Sequence, residues 1–390
     1  MDRYKSNAKW LTLFAPFSSL SISAAYITPF FLQKGMNLSQ IFVLQSIFSI
    51  TFLLWEIPSG YIADKFGRAF SIKISAPISA IAFIFYGLSS HFWQFVILEI
   101  VLAIANGLVS GINTALLLDS LKADGLEDTF VGISQRIYAW SYASTAVGVP
   151  IAILLVKYVN LGSTLVADGV LSGIGALFAF QLVEAPQSNG SQEAIRLSAW
   201  HSMRQLSNNA EARWLVALGS MLSLATYLAY WISAPYYQSL GIPVVLFSLI
   251  LAIRSAWKAW LSRYFIQKRH LDRNMIVYAS LAGLVYLAMA SRQIWLIWLV
   301  LGHDVVQALH GQPITAQLNV HIEHEFRATL NSLANVVKRL LFAISGPMVG
   351  FAIDKLGLSY GLIITGIICS SVAFIALAKL HKLQTFKERR

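Results

Sequence analysis

Long apolar runs dominate the chain and follow one another from Trp10 to about Leu377, with short polar interruptions between them. Most runs have about twenty residues, the length that a helix needs to cross the hydrocarbon core of a membrane. Their apolar residues are continuous and do not alternate with polar ones, which favours helices over the strands of a β-barrel. The pattern predicts an all-α integral membrane protein with twelve transmembrane helices in two pseudo-symmetric six-helix bundles.

The predicted spans are separated by one long polar interruption at 184–212, which we interpret as a linker between an N-terminal bundle, 1–183, and a C-terminal bundle, 213–390. Apolar residues in this linker recur at near-helical spacing beside Arg196 and Arg204, which predicts a short interfacial helix there. These apolar residues are Leu197, Trp200 and Met203. The twelve spans are 10–32, 39–62, 70–89, 93–118, 135–157, 163–183, 213–237, 242–262, 274–291, 293–320, 329–352 and 359–378.

Composition agrees with a membrane protein, since 57% of the 390 residues are hydrophobic and only 12% are charged. The formal net charge of +11 does not indicate a nucleic-acid partner, because the basic residues are spread over many loops. A single cysteine, Cys369, excludes an intramolecular disulfide and a multi-cysteine zinc site. No phosphate-binding loop motif is present, so we expect no ATP site and no cofactor.

Lysine and arginine are concentrated in the loops on one side of the predicted membrane. That side holds both tails, the linker and the loop after span two, whereas the opposite side holds only Lys34, Lys157, Arg292 and Lys355. Basic residues are retained on the cytoplasmic side. The sequence therefore predicts a multi-pass protein of the cell inner membrane with both termini in the cytoplasm. The apolar run from Trp10 is too long for a signal peptide and is expected to stay as the first span.

Charged residues inside the spans are expected to face protein or water, because a charge at bilayer depth costs about 2.5–3.5 kcal/mol on insertion scales. We count three acids, in the second, fourth and tenth spans, and four cations, in the eighth and eleventh. None falls in the third, sixth, ninth or twelfth span, so eight helices are predicted to face inward and four outward. These residues are Glu56, Glu99, Asp304, Arg254, Lys258, Lys338 and Arg339.

Polar residues recur on single helical faces of the first, fourth, seventh and tenth spans, which indicates an internal repeat around a shared polar cavity. The four intramembrane cations have two interpretations, an anion-binding wall and simple snorkelling toward the cytoplasm. Candidate cavity residues are Tyr26, Asn106, Ser110, Asn113, Tyr230, Arg254, His303, Gln307, His310, Lys338 and Arg339.

A short charged loop at 60–68 interrupts the apolar pattern between the second and third spans. It carries Gly60, Asp64, Lys65, Gly67 and Arg68, in the pattern Gly-x-x-x-Asp-Lys-x-Gly-Arg. This pattern resembles the loop motif of the major facilitator superfamily of secondary transporters, at the position where that family carries it. The resemblance covers nearly the whole chain and implies alternating access around a midplane site.

The resemblance further implies that Asp64 latches a cytoplasmic gate against the start of span eleven, near Arg327. We expect Arg68, Asp119 and Arg136 to form a charge cluster around Asp64. The alternative is a role of the loop in topology and folding only. A fainter echo of the motif follows span eleven, at Gly350, Asp354, Lys355 and Gly357.

Glu99 and Asp304 are the proton-coupling candidates, because an acid in a partly dry cavity can take up and release a proton during the transport cycle. Either acid can instead be half of a buried ion pair, with Arg254, Lys258, Lys338 or Arg339 as its partner. One family feature is absent. Proton antiporters often carry an arginine in span four, four residues before a glycine, and here that place is Ala103.

By resemblance we expect proton-coupled export of small organic molecules, of the multidrug-efflux type, by a protein that acts as a monomer in the lipid bilayer and is not an enzyme. Two alternatives stay open: transport of an organic anion such as a siderophore or carboxylated metabolite, and a lipid flippase or non-transporting receptor. Histidines in the tenth span and the following turn also suggest a metal-binding site, but the spacing of the turn residues favours a solvated turn. The turn residues are His321, Glu323, His324 and Glu325.

Overall fold

The computed structural model describes residues 4–186, 206, 209–265, 271–320 and 327–388. Within these ranges the chain forms helices and turns, without β-strands. Among the described residues, ten helices are long and apolar enough to cross a membrane, and Met275–Ala290 is a shorter apolar helix. Together with the first span, which is interrupted, these account for the twelve predicted spans of an all-α membrane protein.

Six spans precede the linker, and breaks in the helix divide the first and the fourth of them. The first span comprises α1 (Lys5–Ser19) and α2 (Ile27–Gln33), the second α3 (Leu38–Phe66), the third α4 (Arg68–Leu88), the fourth α5 (Phe92–Val109) and α6 (Ile112–Ala123), the fifth α7 (Phe130–Tyr158) and the sixth α8 (Gly162–Ala179).

Six more spans follow the linker. The seventh is α9 (Ala210–Ser239), the eighth α10 (Phe247–Phe265) after a 3-10 turn at Val244–Leu246, the ninth α11 (Leu271–Ala290), the tenth a 3-10 helix (Ile294–Val300) with α12 (Leu301–Leu309) and α13 (Gly311–Val320), the eleventh α14 (Arg327–Leu356) and the twelfth α15 (Leu358–Glu388).

The first span is not the continuous helix predicted over 10–32, because residues 20–26 leave the helical conformation. The Asp168 carboxylate of α8 accepts hydrogen bonds from the backbone N–H groups of Ile22 (2.6 Å) and Ser23 (3.0 Å). Irregular backbone at membrane depth persists only where protein or water satisfies its polar groups. Asp168, which is buried, supplies that partner for the broken first span.

Asp168 also corrects the count of intramembrane acids, which omitted it. The sixth span carries a buried carboxylate, so the proposed rule that the third, sixth, ninth and twelfth spans lack charge is wrong for the sixth. The acid is tolerated there because it faces the protein and accepts backbone N–H groups, which partly replaces its hydration.

Glycines bring pairs of helices into close contact in both halves. A Cβ atom at Gly169 of α8 would lie 2.7 Å from the carbonyl oxygen of Ala80 in α4. A Cβ atom at Gly283 of α11 would lie 2.8 Å from the carbonyl oxygen of Gly366 in α15. Small residues at helix interfaces allow the backbones of membrane helices to approach closely. The third span therefore packs on the sixth, and the ninth on the twelfth, in the same way.

The chain divides into two compact units. The first comprises Met1–Met36, Leu44–Asn189 and Pro243–Ala252, and the second Asn37–Val43, Gly190–Ile242 and Ile253–Arg390. The predicted boundaries of two bundles and a linker stay a prediction. The interfacial helix predicted around Leu197, Trp200 and Met203 lies outside the described residues.

Replacing Asp168 is expected to destabilise the break in the first span. Asp168→Ala leaves two buried N–H groups without an acceptor, at about 1–3 kcal/mol for each group, whereas Asp168→Asn keeps one acceptor oxygen. We expect a lower Tm in detergent for the alanine variant and a smaller decrease for the asparagine variant. Asp128→Ala, at an exposed acid of the same half, is the control. Equal Tm values for Asp168→Ala and the control would contradict the capping role.

Candidate functional site

The turn between the second and third spans is built around Gly67. This residue has φ +110°, which L side chains rarely adopt. Next to it, the Glu184 carboxylate accepts hydrogen bonds from the N–H groups of Arg68 (2.8 Å) and Ala69 (2.9 Å) at the start of α4. A Cβ atom at Gly67 would collide with that carboxylate. Gly67 is therefore required both for its backbone conformation and for the space that Glu184 occupies.

Glu184 was missed by the sequence analysis, which placed it in the linker. The only local signal was an acid directly after the sixth span. Its partners lie 115 and 116 residues earlier in the chain, so nothing near it in sequence indicated that it caps α4. Carboxylates are favourable near helix N-termini.

Two of the predicted gate residues meet in an ion pair. The Arg68 guanidinium binds the Asp119 carboxylate, and Asp119 is buried while Arg68 is 19% exposed. Asp64 and Arg136 are exposed, and among the described residues neither forms a hydrogen bond or ion pair with this pair. The structure thus brings Arg68 and Asp119 together and leaves the other two members of the predicted charge cluster apart.

Lys65 and Gly60 complete the motif. The Lys65 ammonium lies over the rings of Tyr61 (5.5 Å) and Phe66 (5.3 Å). A Cβ atom at Gly60 would meet no heavy atom of the described residues within 4 Å. Gly60 therefore has space around it in the described residues, whereas Gly67 lies against the Glu184 side chain.

Glu99 of α5 is buried and is held by neutral hydrogen-bond donors. The Tyr86 hydroxyl and the Gln45 side-chain amide both donate to its Oε1, each at 2.7 Å. The Tyr86 ring also packs against Phe95, with ring centroids 5.1 Å apart. No cation forms an ion pair with Glu99 among the described residues. The acid is therefore an isolated carboxyl group at the meeting point of the second, third and fourth spans.

Asp304 of α12, by contrast, lies in a buried ion pair with Arg254 of α10. Arg254 Nε donates to Asp304 Oδ2 (2.8 Å), and a terminal guanidinium nitrogen donates to Oδ1 (3.1 Å). The other terminal nitrogen donates to the Ser233 hydroxyl (3.1 Å) and the Tyr237 hydroxyl (3.3 Å) of α9. For Asp304 the structure shows the ion-pair alternative, and the guanidinium joins the seventh, eighth and tenth spans.

Other predicted polar residues of the second unit form hydrogen bonds near the Arg254–Asp304 ion pair. Lys258, one turn after Arg254, donates to Gln307 (3.0 Å). His310 Nε2 lies 3.0 Å from the Ser223 hydroxyl, and its Nδ1 lies 2.6 Å from the Val306 carbonyl oxygen. The tenth span therefore presents Gln307 to the eighth span and His310 to the seventh.

His303 is fully buried, and neither ring nitrogen has a hydrogen-bond partner among the described residues. Its ring lies edge-on to Tyr286, with ring centroids 4.6 Å apart.

The remaining predicted cavity residues of the second unit are half-buried. They are Tyr230, Lys338 and Arg339, and the Tyr230 ring is perpendicular to that of Trp231. The metal alternative at His321, Glu323, His324 and Glu325 lies outside the described residues.

The first unit contains a cavity of about 540 Å³ between the first, fourth and fifth spans. Eight hydrogen-bonding side chains contribute to its wall, and no charged residue does. In this wall, Asn113 Oδ1 and Ser134 Oγ have no hydrogen-bond partner within the described part of the chain. The eight are Ser18, Ser19, Asn113, Thr114, Ser134, Tyr138, Ser141 and Thr145.

Of the cavity residues predicted in this half, only Asn113 contributes to the wall. The Asn106 side chain donates to the Leu102 carbonyl oxygen of its own helix (2.8 Å), and Ser110 is exposed. Tyr26 is fully buried, and its hydroxyl donates to the Val245 carbonyl oxygen (3.0 Å). Periodicity placed Asn106, Ser110 and Asn113 on one face of the fourth span, but the break at Gly111, with φ +74°, turns Asn113 away from the other two.

Twelve spans with a charged glycine turn after the second define a transporter-like membrane protein, and the family follows from comparison. A family model described as Major Facilitator Superfamily matches residues 10–346. The chain belongs to this superfamily of transporters. No curated protein matches the chain.

Solved structures show the same fold at low sequence identity. The nucleoside transporter NupG has a TM-score of 0.75 at 16% identity, covering 96% of this chain and 98% of that chain. A bacterial homologue of the human lysosomal transporter Spinster, in an inward-facing and unoccupied conformation, has 0.75 at 15%, covering 98% of each. A POT family transporter in complex with 5-aminolevulinic acid has 0.69 at 13%, covering 97% and 96%.

Breaking the buried ion pair from one side is expected to cost more stability than removing it altogether. Arg254→Ala leaves the Asp304 carboxylate buried without its partner, which costs about 3–5 kcal/mol. The double variant Arg254→Met with Asp304→Leu removes both charges and is expected to recover most of that loss. Thermal unfolding in detergent measures the effect. A double variant no more stable than Arg254→Ala would contradict the pairing as the source of the loss.

Proposed function

We propose that this protein is a proton-coupled secondary transporter that exports a small, polar, uncharged organic molecule by alternating access. The observation that supports the substrate class most directly is the cavity of the first unit. Its volume of about 540 Å³ lies within the range of about 300–1,000 Å³ common for ligand sites. Its polar groups are hydroxyls and an amide, which suit neutral hydrogen-bonding molecules.

The absence of charge from this wall disfavours a cation as the ligand of the first unit. Asn113 Oδ1 and Ser134 Oγ have no hydrogen-bond partner among the described residues, so both can form a hydrogen bond with a bound molecule. Buried polar groups are normally satisfied. A ligand that pairs with them therefore binds better than an apolar molecule of the same size.

Glu99 is the proposed proton carrier. Its carboxyl group is 4% exposed and has hydrogen-bond donors from Gln45 and Tyr86 but no cationic partner in the described ranges. A buried carboxylate without a cation is disfavoured relative to the neutral acid, so protonation and deprotonation change its interactions with these neighbours. Asp304 is a weaker candidate because its carboxylate is already paired with Arg254.

Direction and orientation follow from the family resemblance and the loop charges. We propose outward transport in exchange for protons, in the cell inner membrane, with both termini cytoplasmic. A nucleoside is a suitable first probe, since it is neutral and rich in hydroxyl groups and the similar structure of NupG is named a nucleoside transporter.

An organic anion is the second candidate. Lys258 and Lys338 are half-buried in the second unit, and among the described residues neither has a carboxylate partner. Lys258 instead donates to the neutral Gln307 (3.0 Å). The Arg254 charge is already neutralised by Asp304, so an anion site would rest on these two lysines.

Substrate class can be tested with purified protein in proteoliposomes under an imposed pH gradient. We expect transport of radiolabelled uridine and weaker transport of ethidium or citrate. Asn113→Leu is expected to raise KM for uridine about tenfold, the effect of losing one good hydrogen bond to a ligand. Ser110→Ala, at an exposed residue outside the cavity wall, is the control. Transport of citrate alone, lost in Lys258→Gln, would favour the anion candidate instead.

Glu99→Gln tests the coupling separately from substrate binding. The amide keeps an oxygen that accepts from Tyr86 but cannot exchange a proton at neutral pH. We expect it to abolish pH-driven accumulation while uridine counterflow, which needs no net proton movement, is retained. Glu56→Gln, at an exposed acid of the second span, is the matched control. Undiminished pH-driven accumulation in Glu99→Gln would exclude Glu99 as the proton carrier.

A further inference from the structure

The hydrogen bonds at Glu99 converge on one of its two carboxyl oxygens. The Tyr86 hydroxyl and the Gln45 amide both donate to Oε1, at 2.7 Å each, and Oε2 has no hydrogen-bond partner among the described residues. A carboxylate oxygen offers about two lone-pair positions to hydrogen-bond donors. Both positions on Oε1 are therefore taken, and Oε2 is the oxygen that stays open to a proton.

A cluster of buried aromatic rings fixes the direction of the Tyr86 hydroxyl. Tyr86 is 1% exposed, and its ring centroid lies 5.1 Å from that of Phe95 and 5.8 Å from that of Phe31. The Phe31 and Phe30 rings both lie edge-on to Phe95. Side chains in a closely packed interior interdigitate and keep single rotamers. The Tyr86 ring therefore cannot turn its hydroxyl away from Glu99 without displacing its neighbours.

Two of these rings come from α2, the second half of the broken first span. The first half, α1, contributes Ser18 and Ser19 to the wall of the cavity. The break between the two halves is held by the Asp168 carboxylate. The first span therefore supplies both a part of the cavity wall and the packing that positions Tyr86.

Charged side chains on the elements around Glu99 are bound elsewhere or lie far along the chain. Among the described residues, none forms a hydrogen bond or ion pair with Glu99. Lys34, after α2, donates to the Ser90 hydroxyl (3.1 Å). Neutral donors alone thus act directly on the Glu99 charge. The charged or histidine residue nearest in sequence on each surrounding element is Lys34, Glu56, Lys73, His91 or Asp168.

We infer that Tyr86 is a positioning residue for proton transfer at Glu99. Together with Gln45 it keeps Oε1 as a hydrogen-bond acceptor, so that the proton binds at Oε2. The O–H bond forms at Oε2 with a proton from water and breaks when that proton returns to water. Tyr86 and Gln45 keep their own protons, since a phenol is a far weaker acid than a carboxylic acid. The inference deepens the proposed function and rests on Glu99 as its proton carrier.

The direction of the expected effect follows from the hydrogen bonds. A donor binds a carboxylate more strongly than the neutral acid, so each donor favours the charged form. Tyr86→Phe removes the hydroxyl and keeps the ring with its aromatic contacts. We expect protonation of Glu99 to shift to higher pH by about one unit, which is about tenfold in proton affinity and the effect of losing one charge-assisted hydrogen bond.

Infrared difference spectra of the full chain in detergent, recorded against pH, measure this shift. The absorption of the protonated Glu99 carboxyl group is identified by its loss in Glu99→Gln. In Tyr86→Phe we expect the higher titration midpoint and also a C=O band at higher wavenumber, because Oε1 accepts one hydrogen bond fewer. Gln45→Leu removes the other donor and is expected to move both readouts in the same direction.

Tyr286→Phe is the matched control. Tyr286 is also fully buried, and its hydroxyl donates one hydrogen bond, to the Ala225 carbonyl oxygen (2.6 Å). Each phenylalanine variant loses one buried hydroxyl, so both are expected to lower Tm by a similar amount. Tyr286→Phe is expected to leave the titration midpoint and the Glu99 band unchanged. A lower Tm in Tyr86→Phe with neither spectral change would show a structural role only and overturn the inference.

Uridine accumulation under a pH gradient, measured on the same variants, separates this inference from the proposed function. Tyr86→Phe is expected to raise the pH of half-maximal accumulation by about the same unit and to leave KM in counterflow unchanged. A shifted Glu99 band in a protein that does not transport uridine keeps the positioning role and rejects the substrate. Accumulation that requires Glu99, with no band shift in Tyr86→Phe or Gln45→Leu, keeps the proton carrier and rejects the positioning role. A Glu99 carboxyl group that does not titrate in the folded protein would reject both.

Discussion

A backbone N–H group inside or beside a membrane needs a hydrogen-bond partner from the protein, and three carboxylates meet that need where helices begin or resume. Asp168 accepts from the broken first span, Glu184 from the start of α4 and Asp354 from the start of α3. Each accepts two consecutive N–H groups. Lipid offers no alternative partner to the buried N–H groups of Ile22 and Ser23, and all three contacts join helices that are distant in sequence.

The proton-coupling candidates of the two units are held in different ways. In the first, Glu99 is surrounded by neutral donors, and the cavity wall is polar but uncharged. In the second, Arg254 and Asp304 neutralise each other and recruit hydroxyls of the seventh span. A carboxyl group without a cation can change protonation at lower cost than one in an ion pair. This difference places the proposed proton carrier and the proposed polar site in the first unit.

Much of the fold could be predicted because its signals are local. Span positions, helical content and the turn at Gly67 depend on apolar length and on residues a few positions apart. The candidate site was predicted less completely. Asn113, Glu99 and the partners Arg68 and Asp119 were named in advance, whereas Asp168 and Glu184 were not. The break in the first span was missed as well, because residues 20–26 include no charged residue, glycine or proline and the backbone there is satisfied by a distant helix.

The amino-acid sequence by itself determined that this is a twelve-span protein of the major facilitator type, since hydrophobic length and a charged glycine turn are properties of short segments. Only the tertiary structure decided which carboxylate serves which backbone. The capping pairs are 145, 116 and 315 residues apart, so their partners are set by helix packing and not by neighbours in the chain. The tertiary structure also decided that Asp304 is paired and Glu99 is not, because only packing brings Arg254 to one acid and Gln45 and Tyr86 to the other.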